Sequence, residues 1–524
     1  MTNTFIDAKT DLVGESINAS VCIIGAGAAG ITLARELAPS VADVVLVESG
    51  GLSLDGPTQA LYSGQNLGLK YHDLLSSRLR YFGGTTNHWG GYCRYNDPID
   101  YRGRPKLDVP RWPFDETVLA PFITRAAAQL GLEFAYFDPA TRLSKLGEDT
   151  DALIDDASTG LMTKIFQISS KTRFAKIYGN ELARLHNLRT YLNLSVTDIQ
   201  LSESGRNVTA VTARTLTGKT VKITANTFVL ACHAIENARL LLASNSQSPT
   251  GIGNRYDHVG RYFMDHVHVS GTKMIPSSSF PSLYNFYYLQ SLGVNANISF
   301  TDPALQEMGI LQYYCRFLPV YADEGVKPAM RRLQGKLWEP FDPESLDDLA
   351  MVLSDLPGAT RLARSAAGGA PKPQYFNLQH RIEQAPNPES RILLSAKRDA
   401  LGNRQADLMW RLNDVDYRTF RLGQQKIVAE LSALGLGRFM VEELHDDYID
   451  EHAIGHYHHI GTTRMAARAE DGVVDPNCRV FNVDNLYVAG SSTFPTAGYS
   501  GPTMMIIALA LRLADHLKQS KAGN

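Results

Sequence analysis

The segment at residues 20–51, SVCIIGAGAAGITLARELAPSVADVVLVESGG, constrains the fold of this chain more than any other stretch. The apolar strand VCIIG leads into three glycines spaced as GxGxxG, namely Gly25, Gly27 and Gly30, and a helix with apolar residues at helical spacing follows. A second apolar strand, DVVLVES, contains Glu48 at its end. Strand, glycines, helix, strand and acidic residue in this order predict a βαβ unit that binds a dinucleotide.

Each position of this unit has a physical task. Gly25 makes the tight turn, Gly27 lets the backbone approach a pyrophosphate, and Gly30 lets the helix pack closely against the strand. The helix N-terminus stabilises phosphate charge, and Glu48 can accept hydrogen bonds from a ribose. The alternative is a glycine-rich turn without a ligand, and the complete order of elements argues against it.

Composition and charge exclude several classes of protein. A chain of 524 residues is long enough for two or more lobes around a large core. Lysine and arginine number 51 against 54 aspartates and glutamates, which gives a net charge of -3. Nucleic acid or an anionic membrane surface as partner would require a basic surplus, so neither is expected.

Cysteine usage and the termini bear on the compartment. The five cysteines include no CxxC pair, so we expect neither a disulfide framework nor a zinc site, and no metal. This usage indicates a reducing compartment. The first twenty residues have neither a basic start nor an apolar run, and no apolar stretch could span a bilayer. The sequence therefore predicts a cytoplasmic protein without a membrane span.

The dinucleotide unit provides only part of a sheet, and no second glycine fingerprint follows it. The apolar strands TFVLAC, residues 227–232, and NLYVAG, residues 485–490, are expected to complete the same sheet. Such a discontinuous domain suits one large, fixed cofactor. Residues 276–370 contain no motif, and we expect irregular structure there that determines substrate specificity.

Motifs spread over nearly the whole chain carry a resemblance to a known family. They are GAGAAG with Glu48, GGTTNHWGG, WP at 112–113, ACHAIENARLLL at 231–242, HHIGTTRM, DNLYVAGSS and GPT. The chain resembles the glucose–methanol–choline family of FAD-dependent oxidoreductases, nearest the branch of pyranose oxidases and fructose dehydrogenases. The resemblance implies FAD as cofactor and an α/β fold, α+β overall. In this fold a discontinuous Rossmann-like FAD-binding domain is joined to a substrate domain that is built on an antiparallel sheet with helices.

The resemblance also divides the chain. The FAD-binding domain is expected to comprise residues 1–95, 191–270 and 452–524. The substrate domain is expected to comprise residues 96–190 and 271–451. The last FAD-binding segment carries the histidine motif.

Cofactor contacts are implied for several groups of residues. The glycine-rich loop resembles one that lies along the flavin, because bare backbone reaches the pyrophosphate or the flavin edge without a clash. Together with the βαβ positions, the implied contacts are Gly25, Gly27, Ala28, Gly30, Glu48, Ser49, Gly83, Gly84, Thr85, Asn87, His88, Trp89, Gly90, Gly91, Val196, Ala231, Ala489, Gly490, Thr503 and Met504. The start of the last helix, at Thr503, would stabilise charge on the reduced flavin.

His88 has two interpretations. By resemblance it stands where some members of the branch join a histidine covalently to the flavin. The alternative is a hydrogen-bonding loop histidine beside a dissociable FAD. Asn87, which precedes it, does not decide between them.

The expected base is His458. A histidine that is neutral near pH 7 can accept the proton of an alcohol, and the resemblance assigns that task to the motif that begins with His458. His452, His456 and His459 are rivals. In an extended segment His456 and His458 share a face and His459 points away, so His456 is the main competitor. Structural roles are expected for Asp265 and His266.

Gly501 departs from the family pattern. Relatives place a second histidine or asparagine there, opposite the base. Three interpretations follow, in order of preference. Another group, such as His456, Tyr499 or a water, replaces the missing side chain; the pocket is widened for a bulky substrate; or the alcohol chemistry is weakened.

The resemblance implies oxidation of an alcohol by hydride transfer to flavin N5, on a sugar, glycoside or polyol. The electron acceptor is open, and a dehydrogenase is favoured over an oxidase because nothing in the sequence argues for oxygen. One alternative is a tailoring enzyme acting on a bulky metabolite. Another is a flavin-holding or electron-relay subunit, supported only by Gly501. An oligomer or a partner subunit is left open.

Overall fold

Two large sheets organise the computed structural model, which describes residues 5–147, 149–286, 293–321 and 373–522. The strands are β1 Phe5–Asp7, β2 Ser16–Ile24, β3 Val44–Val47, β4 Tyr92–Cys93, β5 Leu161–Ile168, β6 Leu188–Leu192, β7 Ser195–Leu201, β8 Val208–Arg214, β9 Thr220–Leu230, β10 Val267–Pro276, β11 Val294–Phe300, β12 Tyr313–Val320, β13 Tyr375–Ile382, β14 Arg391–Arg398, β15 Arg404–Met409, β16 Gly437–Val441, β17 Ile454–Gly455 and β18 Leu486–Val488. The α-helices are α1 Ala28–Leu37, α2 Gly56–Gln59, α3 Pro98–Arg102, α4 Glu116–Gln129, α5 Pro139–Leu146, α6 Phe174–Leu182, α7 Ala234–Ala243, α8 Asp302–Met308, α9 Asp414–Ala433, α10 Asp446–His452 and α11 Thr503–Ala522.

The first sheet contains the predicted βαβ unit. Its order is β1-β6-β3-β2-β9-β8-β7, and β18 also pairs with β9. Strands β1, β6, β3, β2, β9 and β18 run parallel to one another, whereas β7, β8 and β9 form an antiparallel meander. The two distant apolar strands therefore complete the sheet as predicted. The mixed α/β architecture with a Rossmann-like unit is confirmed.

Helix α1 follows the glycines and buries the face that the sequence predicts. Its apolar residues Ile31, Leu33, Ala34 and Leu37 are all fully buried. The helix packs on β2 and β3 and against the C-terminal helix α11. Burial of such side chains stabilises the unit by roughly 1.5–3 kcal/mol each. The turn before α1 is thereby held at the edge of the sheet.

The second sheet is antiparallel throughout. Its order is β16-β10-β13-β12-β11-β5-β4, and β17 pairs with β10. Strands β14 and β15 form a separate hairpin. Helix α9 packs on β12 and β13.

The expectation of irregular structure over residues 276–370 is wrong for part of that range. Strands β11 and β12 lie at the centre of the second sheet, and helix α8 lies in the chain segment that connects them. Their periodicity is hidden because buried positions carry polar residues, among them Asn295, Asn297 and Ser299. Residues 287–292 and 322–370 lie outside the described residues.

Strand membership shifts the expected domain limits. Strand β4 ends at Cys93 and belongs to the antiparallel sheet, although we expected residues 1–95 in the FAD-binding domain. Strand β6 belongs to the first sheet, before the expected limit at 190. Strands β10 and β17 belong to the antiparallel sheet, although β17 and the first residues of β10 lie within the ranges 452–524 and 191–270 that we expected for the FAD-binding domain.

No helix within the described ranges is long and apolar enough to cross a membrane.

Candidate active site

A cavity of about 740 Å³ is lined by residues of both sheets. One wall is the edge where the parallel strands β2, β3 and β9 end, and it includes Gly25, Glu48 and Ala231. This is the edge where open α/β sheets bind ligands. The antiparallel sheet provides the opposite wall through Tyr92, Phe166, Tyr314, Arg316 and Arg381.

The three glycines of the fingerprint differ in their surroundings. Gly25 has φ of +103°, and a Cβ there would lie 2.5 Å from the carbonyl oxygen of Ala231. A Cβ at Gly30 would lie 1.8 Å from the carbonyl oxygen of Gly25. A Cβ at Gly27 would meet no atom within 4 Å, and Gly27 lines the cavity. Packing thus requires two of the glycines, and the third leaves the backbone open to a ligand.

Glu48 is buried where β3 ends. Its Oε2 accepts the Ala26 N–H at 2.9 Å and its Oε1 accepts the Gly50 N–H at 2.8 Å. Burial raises the pKa of the carboxyl. Each carboxylate oxygen retains a further lone pair, which a ribose hydroxyl could use.

A buried cluster of arginines lies near this wall, and its members were not predicted from the sequence. Glu236 accepts hydrogen bonds from Arg78 at 3.1 Å, Arg80 at 2.6 Å and Arg239 at 3.1 Å. Arg239 also pairs with Asp399 at 2.9 Å. Three guanidinium groups face two carboxylates, which leaves a net positive charge. The sequence signal was the RLR that precedes the glycine-rich loop.

These features fit FAD. The open backbone at Gly27, the N-terminus of α1 and the cationic cluster match what a diphosphate requires, and Glu48 can hold a ribose. Gly490 contributes a second open stretch, since it has φ of +114° and a Cβ there would meet no atom within 4 Å. FAD supplies a hydride acceptor at the flavin ring when it is bound.

Most of the implied cofactor residues line the cavity. They are Gly25, Gly27, Ala28, Glu48, Ser49, Gly84, Thr85, His88, Trp89, Gly90, Gly91, Val196, Ala231, Ala489, Gly490 and Thr503. Gly30, Gly83, Asn87 and Met504 do not line it. Asn87 is buried and donates to the Phe82 carbonyl at 2.8 Å, and Met504 is fully buried.

The glycine-rich loop turns tightly beside the cavity. Gly83 has φ of +91°, and a Cβ there would lie 2.5 Å from Nδ2 of Asn87. Trp89 is anchored because its Nε1 donates to the Thr172 carbonyl at 2.8 Å. His88 is exposed and lines the cavity, and its ring nitrogens bond to none of the described residues.

Three histidines of the HYHH segment each hydrogen-bond to another histidine. The pairs are His456 with His268 at 2.7 Å, His458 with His266 at 2.8 Å, and His459 with His233 at 2.9 Å. The remaining rival, His452, is exposed on α10, stacks on Tyr448 and does not line the cavity. His459 bonds to His233, on a different element from the partners of His456 and His458, and it also lines the cavity.

The protonation of His458 follows from its neighbours. Nε2 of His266 faces the carbonyl oxygens of Gly498 at 3.0 Å and Ala497 at 3.3 Å, so this nitrogen must carry the proton and donate. Burial lowers the pKa of His266 to about 4, so the ring is neutral and its Nδ1 accepts. Nδ1 of His458 is therefore the donor in the pair. Nε2 of His458 is left with a lone pair.

Asp265 holds the backbone of the histidine segment. Its carboxylate accepts the N–H of His456 at 3.0 Å, of His458 at 3.0 Å and of His266 at 2.6 Å. It also accepts a hydrogen bond from the hydroxyl of Tyr71. The left-handed backbone at Tyr457, with φ of +62°, lets the two flanking N–H groups reach one carboxylate. His456 and His458 consequently lie on the same side, with ring centres 6.0 Å apart.

A chain of fixed donors also sets the protonation of His456. Arg381 donates to Oε1 of Gln379 at 2.8 Å, so the other amide atom of Gln379 donates to Nε2 of His268 at 3.4 Å. Nδ1 of His268 must then carry the proton and donate to Nε2 of His456. A neutral His456 therefore carries its own proton on Nδ1. It offers a donor, whereas His458 offers an acceptor.

Gly501 lies against His458. A Cβ at this position would lie 3.4 Å from Cε1 and 3.5 Å from Nε2 of His458, which is ordinary contact. The glycine therefore leaves open space directly in front of the lone pair. Tyr499, considered as a replacement group, accepts a hydrogen bond from Arg94 at 2.5 Å and does not line the cavity.

Two family models match the chain. Residues 20–250 match the FAD dependent oxidoreductase family, and residues 386–510 match the GMC oxidoreductase family.

Relatives match at low identity. The chain is 25% identical over 317 residues to the fructose dehydrogenase large subunit of Gluconobacter japonicus, which covers 60% of this chain and 51% of that protein. It thus spans about half the length of this relative. It is 22% identical over 480 residues to 2-methyl-1,2-propanediol dehydrogenase of Mycolicibacterium austroafricanum, covering 83% and 80%. A shorter match, 40% over 80 residues, joins 14% of the chain to 14% of oxygen-dependent choline dehydrogenase of Rhizobium etli.

Solved structures share the fold. Formate oxidase of Aspergillus oryzae matches with a TM-score of 0.56 at 14% identity, covering 98% of this chain and 100% of that one. An FAD-dependent oxidoreductase from Chaetomium thermophilum matches with a TM-score of 0.58 at 17% identity, covering 96% and 100%. At these identities the likeness concerns the fold alone. Residues 386–510 thus form a GMC oxidoreductase domain, residues 20–250 form an FAD dependent oxidoreductase domain, and the cofactor of this protein is FAD.

Proposed function

We propose that this protein oxidises an alcohol to a carbonyl compound, with His458 as the base. One observation carries the proposal. The bond from His458 to His266 leaves a lone pair on Nε2 of His458, inside the cavity that fits FAD. A neutral imidazole at this place can take the hydroxyl proton while the bound flavin provides the hydride acceptor.

His266 positions the base. Its far nitrogen donates to two backbone carbonyls, which cannot take up a proton. His266 therefore does not pass the proton on. It fixes the tautomer of His458, and it keeps an acceptor on Nδ1 when His458 becomes positively charged.

His456 replaces the side chain that relatives place at Gly501. It presents a donor on Nδ1, and its ring centre lies 6.0 Å from that of His458. A hydroxyl bound between the two rings could accept from His456 and donate to His458. This supports the first of the three interpretations of Gly501, in which another group takes over the task.

The substrate proposed from the sequence is a sugar, glycoside or polyol. The names of the relatives support an alcohol, since fructose, a propanediol and choline all carry hydroxyl groups. We propose a dehydrogenase rather than an oxidase, in agreement with two of these names. One relative is a large subunit, which supports a partner subunit as electron acceptor. The open space at Gly501 favours a bulky metabolite as the second candidate substrate.

We also propose a covalent link between His88 and the flavin. His88 lines the cavity, and its ring nitrogens are engaged by none of the described residues. Acid precipitation of the holoenzyme tests this proposal: flavin that stays with the pellet supports the link, provided that His88→Ala releases it. Complete release from the wild-type protein would contradict it.

The visible spectrum of the holoenzyme without oxygen tests the proposed function. Sugars, glycosides, polyols and bulky secondary alcohols are added one class at a time. Bleaching of the flavin band by one class supports alcohol oxidation and identifies the substrate class. A flavin band that dithionite bleaches but no alcohol does would support a flavin-holding subunit instead.

A further inference from the structure

We propose that the substrate carries a carboxylate or another oxyanion, which Arg316 and Arg381 bind. This inference rests on the proposed function, because it names the class of alcohol that the cavity accepts. It narrows the substrate from a neutral sugar or polyol to an acidic one, such as a sugar acid or a hydroxy acid.

The two arginines lie side by side on one face of the antiparallel sheet. In the pairing of β12 with β13, Tyr314 is opposite Arg381 and Arg316 is opposite Gln379. Alternate residues of a strand share a face, so all four side chains point the same way. Arg316, Arg381 and Tyr314 line the cavity together with His456 and His458. The pair therefore faces the space where the base acts.

Both arginines are buried, and the described residues provide neither of them with a counterion. Arg316 is 8% exposed and Arg381 is 9% exposed. Among the residues that the structure describes, no carboxylate oxygen lies within 4.0 Å of either guanidinium group. A buried charge without a partner costs several kcal/mol, so an unpaired buried pair of like charges calls for an anion.

Other buried arginines of the chain show the usual arrangement. Arg104 binds Glu383 through two contacts of 2.6 Å. Arg94 pairs with Asp97 at 3.2 Å, and Arg239 pairs with Asp399 at 2.9 Å. The pair on β12 and β13 is thus an exception to the pattern that this protein follows elsewhere.

Aromatic rings account for only part of the burial. The guanidinium of Arg316 lies 5.4 Å from the ring centre of Tyr92, 4.7 Å from Phe286 and 6.0 Å from Tyr314. Stacking satisfies the flat face of a guanidinium and leaves its five N–H groups, which point outward in the plane, without acceptors. The described residues offer Arg316 no hydrogen bond. Its Nε is buried without a partner, as is the Nε of Arg381.

Two hydrogen bonds hold the guanidinium of Arg381 in place, and its other N–H groups remain available as donors. It donates to the Tyr314 hydroxyl at 3.3 Å and to Gln379 at 2.8 Å. Two of its five N–H groups are thus engaged. The remaining donors of Arg381 and those of Arg316 can bind the two oxygens of a carboxylate, since guanidinium groups match that geometry. A phosphate offers the same oxygens.

The same charges disfavour a cationic substrate. Arg316 and Arg381 both contribute to lowering the pKa of His458, after burial and His266. A quaternary ammonium alcohol would meet two positive groups at this wall. Choline, named in one relative, is therefore expected to be a poor substrate.

Binding of a probe that cannot be oxidised tests the subsite separately from the reaction. Butyrate and butanamide have nearly the same shape and differ in charge. We expect butyrate, and not butanamide, to perturb the flavin absorbance of the holoenzyme and to raise its Tm. In Arg316→Met we expect loss of the butyrate effect at unchanged flavin content, and Arg316→Lys should retain part of it.

Turnover of matched pairs provides the second measurement. Each acid is compared with its neutral counterpart: a sugar acid with its polyol, a 2-hydroxy acid with its diol, and a sugar phosphate with its sugar. We expect kcat/KM to favour the acid by roughly 100-fold, the size usual for a buried charge pair. A preference for carboxylates or for phosphates identifies the natural oxyanion.

The outcomes separate the two proposals. If neutral alcohols reduce the flavin as well as their acids do, the subsite is refuted and alcohol oxidation stands. If no alcohol reduces the flavin but butyrate binds through Arg316, the subsite stands and the proposed function fails. If butyrate and butanamide behave alike in the wild-type protein, the subsite is refuted even if the variants do not fold.

Discussion

The Nδ1 atoms of His266 and His458 lie 2.8 Å apart, and one of the two nitrogens must donate to the other. The carbonyls of Ala497 and Gly498 bind the far nitrogen of His266 and thereby decide the direction. The tautomer of His458 is thus set by two carbonyl oxygens that bond to His266 and not to His458 itself. This arrangement exposes an acceptor on His458, and among the described residues no carboxylate oxygen lies within 4.0 Å of its ring nitrogens.

Removal of the base should abolish flavin reduction. We expect His458→Ala to slow anaerobic reduction by alcohol roughly 100- to 10,000-fold, the usual contribution of a general base. FAD content should stay the same, because the βαβ unit is untouched. Stopped-flow absorbance measures the rate, and His452→Ala serves as the control because His452 lies outside the cavity. A normal rate in His458→Ala would refute the assignment.

His266 should act through the tautomer of its neighbour. His266→Leu removes the acceptor, so the proton of His458 can move to Nε2 and block the base. We expect kcat to fall roughly tenfold or more with little change in KM. His266→Asn places an oxygen near the lost Nδ1 and should restore most of the rate. Equal losses of kcat in the two variants would indicate a merely structural role.

The acid limb of flavin reduction should lie below pH 6.5. Burial lowers the pKa of His458 well below 6.5, and the neighbouring His266 ring and the charges of Arg381 and Arg316 act in the same direction. A base works when deprotonated, so a lowered pKa keeps the enzyme active at more acidic pH. Arg381→Gln removes a positive charge and should move the limb upward in pH. Measuring the rate of flavin reduction against pH locates the acid limb of the wild-type protein and of Arg381→Gln. A wild-type limb above pH 6.5 would contradict the prediction.

Substitution of Gly501 should distinguish lost space from altered chemistry. A methyl group fits, since a Cβ would lie 3.4 Å from Cε1 of His458, so Gly501→Ala should be nearly neutral. Gly501→Asn extends an amide into the space before Nε2 and should change kcat roughly tenfold, or about 1.4 kcal/mol. Steady-state kinetics on one good substrate measures the difference. Identical kinetics in Gly501→Ala and Gly501→Asn would show that the side chain at this position does not affect catalysis.

The open backbone at Gly27 should be required for FAD and not for folding. A methyl group at Gly27 enters empty space in the cavity, so we expect Gly27→Ala to weaken FAD binding about tenfold. The Tm of the apoprotein should hardly change. Gly56→Ala is the matched control, because a Cβ there also meets open space but lies away from the cavity. Fluorescence titration with FAD gives both affinities, and equal values would contradict the prediction.

The sequence identified the elements that form from residues close together along the chain. Strand β2, the turn at Gly25 and helix α1 are neighbours along the chain, and their apolar spacing and glycines follow from the packing of one unit. The histidine segment was predictable for a similar reason, since one short motif carries both His456 and His458.

Strands β11 and β12 could not be recognised in this way. Their buried faces carry polar residues such as Asn297 and Ser299, so the alternation that marks a strand is absent. The arginines escaped attention for the same reason. Arg316 is one polar residue in a segment without a motif, and only the pairing of β12 with β13 brings it beside Arg381.

The sequence by itself determined the dinucleotide unit and the cofactor, and it predicted His458 as the base. The tertiary structure alone decided that His266 bonds to His458, 192 residues away, and that two arginines with no carboxylate partner among the described residues line the same cavity. The physical reason is that hydrogen-bond direction and charge pairing depend on sheet register and on backbone carbonyls. These are relations between distant segments, which no local pattern of residue types records.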